Sequence, residues 1–131
     1  MRKIKFRAYI PAIEQMVEVL AIDFEQGIVR HEDIDWDCWR NKEIPVKRET
    51  SLINCKPMQW TGLKDKNGVE IYEGDIIMVD CGDYKNKAVV GFSQGCFHMG
   101  YYGFDPQLLP QETDMEVIGN IYQNPELREE S

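Results

Sequence analysis

Gln59-Trp-Thr-Gly-Leu-Lys-Asp-Lys-Asn-Gly-Val-Glu-Ile-Tyr-Glu-Gly-Asp-Ile-Ile77 is a run of turns set between extended segments. Met58-Gln-Trp-Thr61 reads as extended chain. Asp65-Lys-Asn-Gly68 then places Asn-Gly at a tight turn, where positive φ is tolerated. Glu73-Gly74-Asp75 is a second turn. It leads into Ile76-Ile-Met-Val79, an apolar, β-branched run of strand character. Gly62, Gly68 and Gly74 suit backbone positions that other residues disfavour. Asp75 is placed to hold its turn by accepting from nearby backbone amides.

Downstream the same rhythm continues. Cys81-Gly-Asp-Tyr-Lys-Asn86 reads as a loop, Ala88-Val-Val-Gly-Phe92 as a strand, Ser93-Gln-Gly95 as a hairpin turn and Cys96-Phe-His-Met-Gly-Tyr-Tyr102 as its partner strand. Residues 103–113, with Pro106 and Pro110, form a loop or one short turn. Met115-Glu-Val-Ile-Gly-Asn-Ile-Tyr122 is the last strand. Asn124-Pro125-Glu126 has the pattern of an N-cap, a first-turn proline and a helix-starting acid. Short strands with Gly-rich turns between residues 58 and 122 predict a small antiparallel barrel, since closure removes bare strand edges.

Upstream, Ile4, Phe6 and Ala8 alternate with polar neighbours, as in a half-buried strand. Residues 10–15 connect it to Met16-Val-Glu-Val-Leu-Ala-Ile-Asp-Phe24, a second strand. Glu25-Gln-Gly27 is a turn and Ile28-Val-Arg30 a short third strand of a meander. Residues 31–51 differ: they are acidic and aromatic together, and Ile44-Pro45 blocks helix. This stretch is expected to be an irregular, exposed connection. Leu52-Ile-Asn-Cys55 reads as a further strand. Two parts follow: residues 1–57, a β meander with its acidic aromatic connection, and residues 58–131, a barrel with a short terminal turn.

The chain has 131 residues, 43% of them hydrophobic, with a formal net charge of −8. That length suits one compact domain or two small subdomains. The negative balance opposes nucleic-acid phosphates, so direct nucleic-acid binding is disfavoured. No apolar run approaches the ~20 residues of a membrane span. The basic start Met-Arg-Lys-Ile-Lys-Phe-Arg7 lacks the apolar stretch of a signal peptide, so a soluble cytoplasmic protein is expected. Cys38, Cys55, Cys81 and Cys96 form no C-x-x-C pair, so zinc-ribbon and thioredoxin-like chemistry fail on spacing. Free, buried thiols are the expectation in a reducing compartment.

Four blocks carry a family resemblance. They are Ile4-Lys-Phe-Arg-Ala-Tyr9, Gln59-Trp-Thr-Gly-Leu-Lys-Asp-Lys-Asn-Gly68, Ile71-Tyr-Glu-Gly-Asp-Ile76 and Val117-Ile-Gly-Asn-Ile-Tyr-Gln-Asn-Pro-Glu-Leu127. In this order and nearly end to end, they resemble the YopX family of phage and prophage proteins. The resemblance implies a mainly β fold whose C-terminal part is an SH3-like barrel. It implies no activity and transfers no catalytic or ligand residue. The matched letters are turn residues and core residues, with Trp60, Tyr72, Ile76, Val117 and Ile121 expected inside; such a pattern speaks for fold and locates no site.

Candidate chemistry is sparse. Asp33, Asp35 and Asp37 resemble half of a calcium loop, but Cys38 stands where glycine is needed and Ile44 where the bidentate glutamate belongs. A solvated acidic loop explains them better. Cys96 and His98 share one strand face, yet i and i+2 side chains lie roughly 7 Å apart, too far for a nucleophile pair. No P-loop, G-x-S-x-G or dinucleotide fingerprint occurs. The chain is expected to be no enzyme and to carry no cofactor and no metal.

Trp36 and Trp39 stand in the acidic, proline-bounded segment. Two bare indoles are costly, so they either fold back onto the barrel, the favoured reading, or anchor a partner. Tyr84, Tyr101 and Tyr102, near the barrel loops, are further partner-binding candidates by analogy with other small barrels. The function expected is a phage-type accessory protein that binds a host or phage protein, with self-association open as well. The alternative is an acidic mimic that occupies the nucleic-acid site of a host nuclease or repressor.

Overall fold

Alternating apolar and polar side chains dominate the chain, and it folds accordingly as antiparallel strands. A computed structural model describes residues 3–93, 95–100 and 107–128. Among them the strands are β1 (Phe6–Ile10), β2 (Gln15–Asp23), β3 (Ile28–Asp37), β4 (Lys42–Ser51), β5 (Lys56–Lys64), β6 (Glu70–Tyr72), β7 (Asp75–Asp80), β8 (Lys85–Ser93), β9 (Cys96–Gly100) and β10 (Met115–Asn120). Single 3-10 turns occupy Leu52–Asn54, Glu112–Asp114 and Pro125–Arg128. The fold is mainly β, as the sequence predicts. The chain separates into two compact units, Lys5–Met58 and the part from Gln59 on.

In the N-terminal unit the strand order is β4-β3-β2-β1, a meander. Its core gathers Ala8, Ile10, Val17, Val29 and Cys55. Residues 31–51, expected to be irregular, are instead most of one long hairpin: β3 and β4 pair without interruption from Ile28↔Ser51 to Asp37↔Lys42. Acidic and proline residues lower strand propensity, but pairing and register outweigh propensity where the partner strand is adjacent. Pro45 is tolerated because β4 is an edge strand and needs no outward N–H. Leu52–Asn54, expected to be extended, closes into a 3-10 turn.

In the C-terminal unit β7, β8, β9 and β10 form a sheet of order β10-β7-β8-β9, and β6 pairs with β5. Ile71, Ile77, Val79, Ala88, Val90, Met99 and Met115 are its buried cluster. Of the expected core residues, Tyr72 and Ile76 are buried, whereas Trp60, Val117 and Ile121 are half-buried. The turn readings hold: Gly68 has φ 82° and Gly74 φ 84°. Gly74 is also pinned on both sides, its N–H donating to Val90 O (2.8 Å) and its carbonyl accepting from Ile121 N–H (2.9 Å). A side chain there would add left-handed strain of about 1–2 kcal/mol.

Candidate functional site

β2 accompanies β3 only from Ile28 to His31, whereas β4 accompanies it to the end. Residues Glu32–Asp37 and Lys42–Lys47 therefore extend past β2 as a two-stranded arm. Directly opposite residues of an antiparallel pair share a face. One face carries Ile34 opposite Pro45 and Trp36 opposite Glu43; the other carries Asp33 opposite Val46 and Asp35 opposite Ile44. Ile34 is 64% exposed, Trp36 54% and Trp39, in the connecting turn, 98%. The indoles thus stand in solvent, whereas the favoured expectation was burial.

The aspartates explain how so acidic a strand holds its shape. Successive N–H groups of a strand point to opposite edges. On the edge that β2 leaves uncovered, the N–H of Ile34 donates to Asp33 Oδ1 (2.8 Å) and that of Trp36 to Asp35 Oδ1 (2.8 Å). The second oxygens are gathered by one guanidinium: Arg48 Nε lies 3.1 Å from Asp33 Oδ2 and Nη2 lies 3.2 Å from Asp35 Oδ2. Asp37 accepts from the N–H groups of Trp39 (3.0 Å) and Arg40 (3.2 Å) and so shapes the turn. The triplet that resembles half a calcium loop is a set of backbone caps. Pro45 removes one donor from the outer edge of β4, and the aspartate caps occupy two on the edge of β3, both of which disfavour strand addition.

At the base of the arm, on the Asp33–Arg48 face, lies a cleft of about 680 Å³. Its walls are Ile10 to Ile13 and Ile53, and its polar lining includes His31, Arg48 and Lys56. The volume is in the ordinary range for a small-ligand site. His31 is 1% exposed. In the tautomer that satisfies both ring nitrogens, Nδ1–H donates to Glu32 O (3.4 Å) and Nε2 accepts from the Thr50 hydroxyl (2.9 Å). Sequence reading missed this cleft, because its lining comes from separate segments. The His31 and Thr50 contact is legible only once the β3–β4 register is known.

The remaining candidates lie elsewhere. Tyr84 is 61% exposed in the loop between β7 and β8. Tyr101 and Tyr102 lie outside the described residues. Cys96 is exposed, and its thiol faces Ser93 O at 3.6 Å. All four cysteines are free; only Cys55 is buried, which corrects the expectation of buried thiols. Burial pushes the Cys55 thiol up, with Lys56 opposing.

Two inward carboxylates belong to the frame of the C-terminal unit. Asp65, 4% exposed, accepts at Oδ1 from Asn67 N–H (2.8 Å) and Val69 N–H (2.9 Å), and at Oδ2 from Val117 N–H (2.9 Å). Burial works against its charge, but the amides of Val117, Val69 and Asn67, with Lys66, prevail and hold its pKa below the ordinary value. Asp75, 1% exposed, accepts from Tyr72 N–H at 2.8 Å, as its turn position predicts. Lys66 pairs with Glu116 at 3.0 Å, and that bond raises its pKa. Among the described residues no helix is long and apolar enough to cross a membrane.

Comparison with known proteins agrees with this architecture. The crystal structure of protein EF1440 from Enterococcus faecalis is similar at 27% identity and a TM-score of 0.66, over 98% of this chain and 100% of that one. A search of curated proteins found no match. The family described as YopX protein matches residues 5–129. A match of that length takes in both units, and the chain belongs to the YopX family.

Proposed function

We propose that this chain is a non-enzymatic accessory protein of phage or prophage origin that binds a protein partner in the host cytoplasm through the β3–β4 arm. The observation that carries the reading is the apolar, solvent-facing set Ile34, Trp36 and Trp39 on that arm. Exposed aromatic clusters on a rigid element mark interaction sites, and tryptophan is the side chain most often dominant there. The buried ionisable groups support a binding role over a catalytic one. Asp65 and Asp75 serve backbone amides, and both His31 nitrogens are engaged. Tyr84, 61% exposed, is a second candidate contact, and Tyr101 and Tyr102 follow it in sequence order only.

The acidic-mimic alternative rests on the net charge of −8. It draws little from the arm, where Asp33 and Asp35 are already paired with Arg48. The deciding experiment is capture from host lysate with the wild type and with the Trp36→Ala/Trp39→Ala variant. A specific protein retained by the wild type and lost by the variant supports the arm. Capture that survives the variant but is displaced by DNA and by salt favours the mimic.

A further inference from the structure

We infer that the cleft at the base of the arm binds a small amphiphilic monoanion, a carboxylate on an apolar body. Lys56 and Asn54 hold the carboxylate, and Ile13 and Ile53 cover the body. This goes beyond the reading of the arm and does not rest on it.

The acidic groups of the cleft are already spoken for. Glu49 lies directly opposite Arg30 on the other face of the hairpin and pairs with it at 3.3 Å, so its charge is turned away from the cleft. Asp33 is on the cleft face, but both its oxygens are taken. Oδ1 accepts from Ile34 N–H at 2.8 Å, and Oδ2 lies 3.1 Å from Arg48 Nε. Arg48 is itself shared with Asp35, and both ring nitrogens of His31 are engaged. A cationic ligand would have to take Asp33 from Arg48.

The donors differ. Among the described residues Lys56 belongs to none of the ion pairs, and the Asn54 amide to none of the side-chain hydrogen bonds. The chain is extended at Cys55, with φ −140° and ψ 167°, and Cys55 itself is buried. Side chains of extended chain alternate, so Asn54 and Lys56 leave it on the same side, and both line the cleft. An ammonium and a carboxamide so placed can each donate to one oxygen of a carboxylate. One such cation, in a chain of net charge −8, suits one negative charge and not the two of a phosphate monoester. The rest of the wall, Ile10 to Ile13 with Ile53, is apolar. Apolar walls with a few placed polar groups are the usual make-up of a small-ligand site.

The test is a titration of the isotope-labelled full chain with octanoate, octanol and octylammonium, followed by amide chemical shifts. Octanoate is expected to give saturable shifts at Ile13, Ile53 and Asn54. Octanol is expected to bind about fivefold more weakly, and octylammonium more weakly still. Lys56→Gln, at an exposed position, is expected to weaken octanoate about fivefold and to leave octanol unchanged. Ile53→Ser, also at an exposed position, is expected to weaken both probes alike, and thermal melts verify that each variant folds. Octanoate that does not saturate overturns the inference, as does octylammonium binding as tightly as octanoate. Octanoate binding indifferent to Lys56→Gln, or shifts confined to the arm, also overturns it. The Trp36→Ala/Trp39→Ala variant is expected to bind octanoate as the wild type does, since Trp36 is on the opposite face and Trp39 in the turn. Partner capture lost in that variant with octanoate binding intact supports both readings, and either can fail without the other.

Discussion

The same chemical device appears in both units with opposite consequences. In the C-terminal unit Asp65 and Asp75 turn inward and receive backbone N–H groups at 4% and 1% exposure. In the arm Asp33 and Asp35 receive backbone N–H groups at 2.8 Å, as short as those inner bonds, yet Asp35 is exposed and Asp33 only half-buried. Water competes for the arm bonds and scarcely reaches the inner ones. An unmet buried amide costs about 1–3 kcal/mol, whereas an exposed one finds water at once. Burial therefore decides whether a carboxylate cap builds a core or merely finishes an edge.

The largest effect expected is at Asp65. Asp65→Ala leaves the N–H groups of Asn67, Val69 and Val117 without their acceptor. A loss of about 3 kcal/mol is expected, read from the urea midpoint. A loss no greater than that of Asp33→Ala would break the contrast between the units. The pH dependence has the same origin. Because folding depresses the Asp65 pKa, its contribution is fully present above the unfolded value of about 3.9 and fades as pH falls through the folded value. Stability curves should therefore bend downward below about pH 5, and Asp65→Asn should flatten that bend.

Asp75→Ala follows, with about 2 kcal/mol expected from the freed Tyr72 amide in a buried turn. Thermal unfolding of the pair Asp65→Ala and Asp75→Ala would show whether the two locks act separately. Arg48→Ala is expected to cost less than about 1 kcal/mol, because its ion pairs are open to solvent. Its sharper signature is local: hydrogen exchange at the Ile34 and Trp36 amides should quicken while the C-terminal unit is unchanged. The smallest effect is at Trp39, where replacement by alanine should move the stability of dilute protein by no more than about 0.5 kcal/mol.

Features set by a few neighbouring residues are legible in the sequence. Asn67-Gly68 and Glu73-Gly74-Asp75 are turns because positive φ and short-range carboxylate bonds are properties of a few neighbouring residues. β7 and β8 follow from short apolar, β-branched runs bounded by turns, and the Asp75 cap was visible from its place after Gly74. The arm was not legible. Its composition reads as exposed connection, and only pairing across the turn at 38–41 converts Glu32–Asp37 into strand. The roles of the three arm aspartates were hidden for the same reason, since Arg48 reaches Asp33 and Asp35 only in that register.

The amino-acid order alone determined the β class, the turn positions and the family, because each depends on contacts among neighbours or on letters in series. Tertiary structure decided that Trp36 and Trp39 face water, that one arginine gathers the two aspartates capping a strand edge and that separate segments enclose a cleft. Those features depend on which distant residues meet, and no local preference encodes a meeting across the sheet.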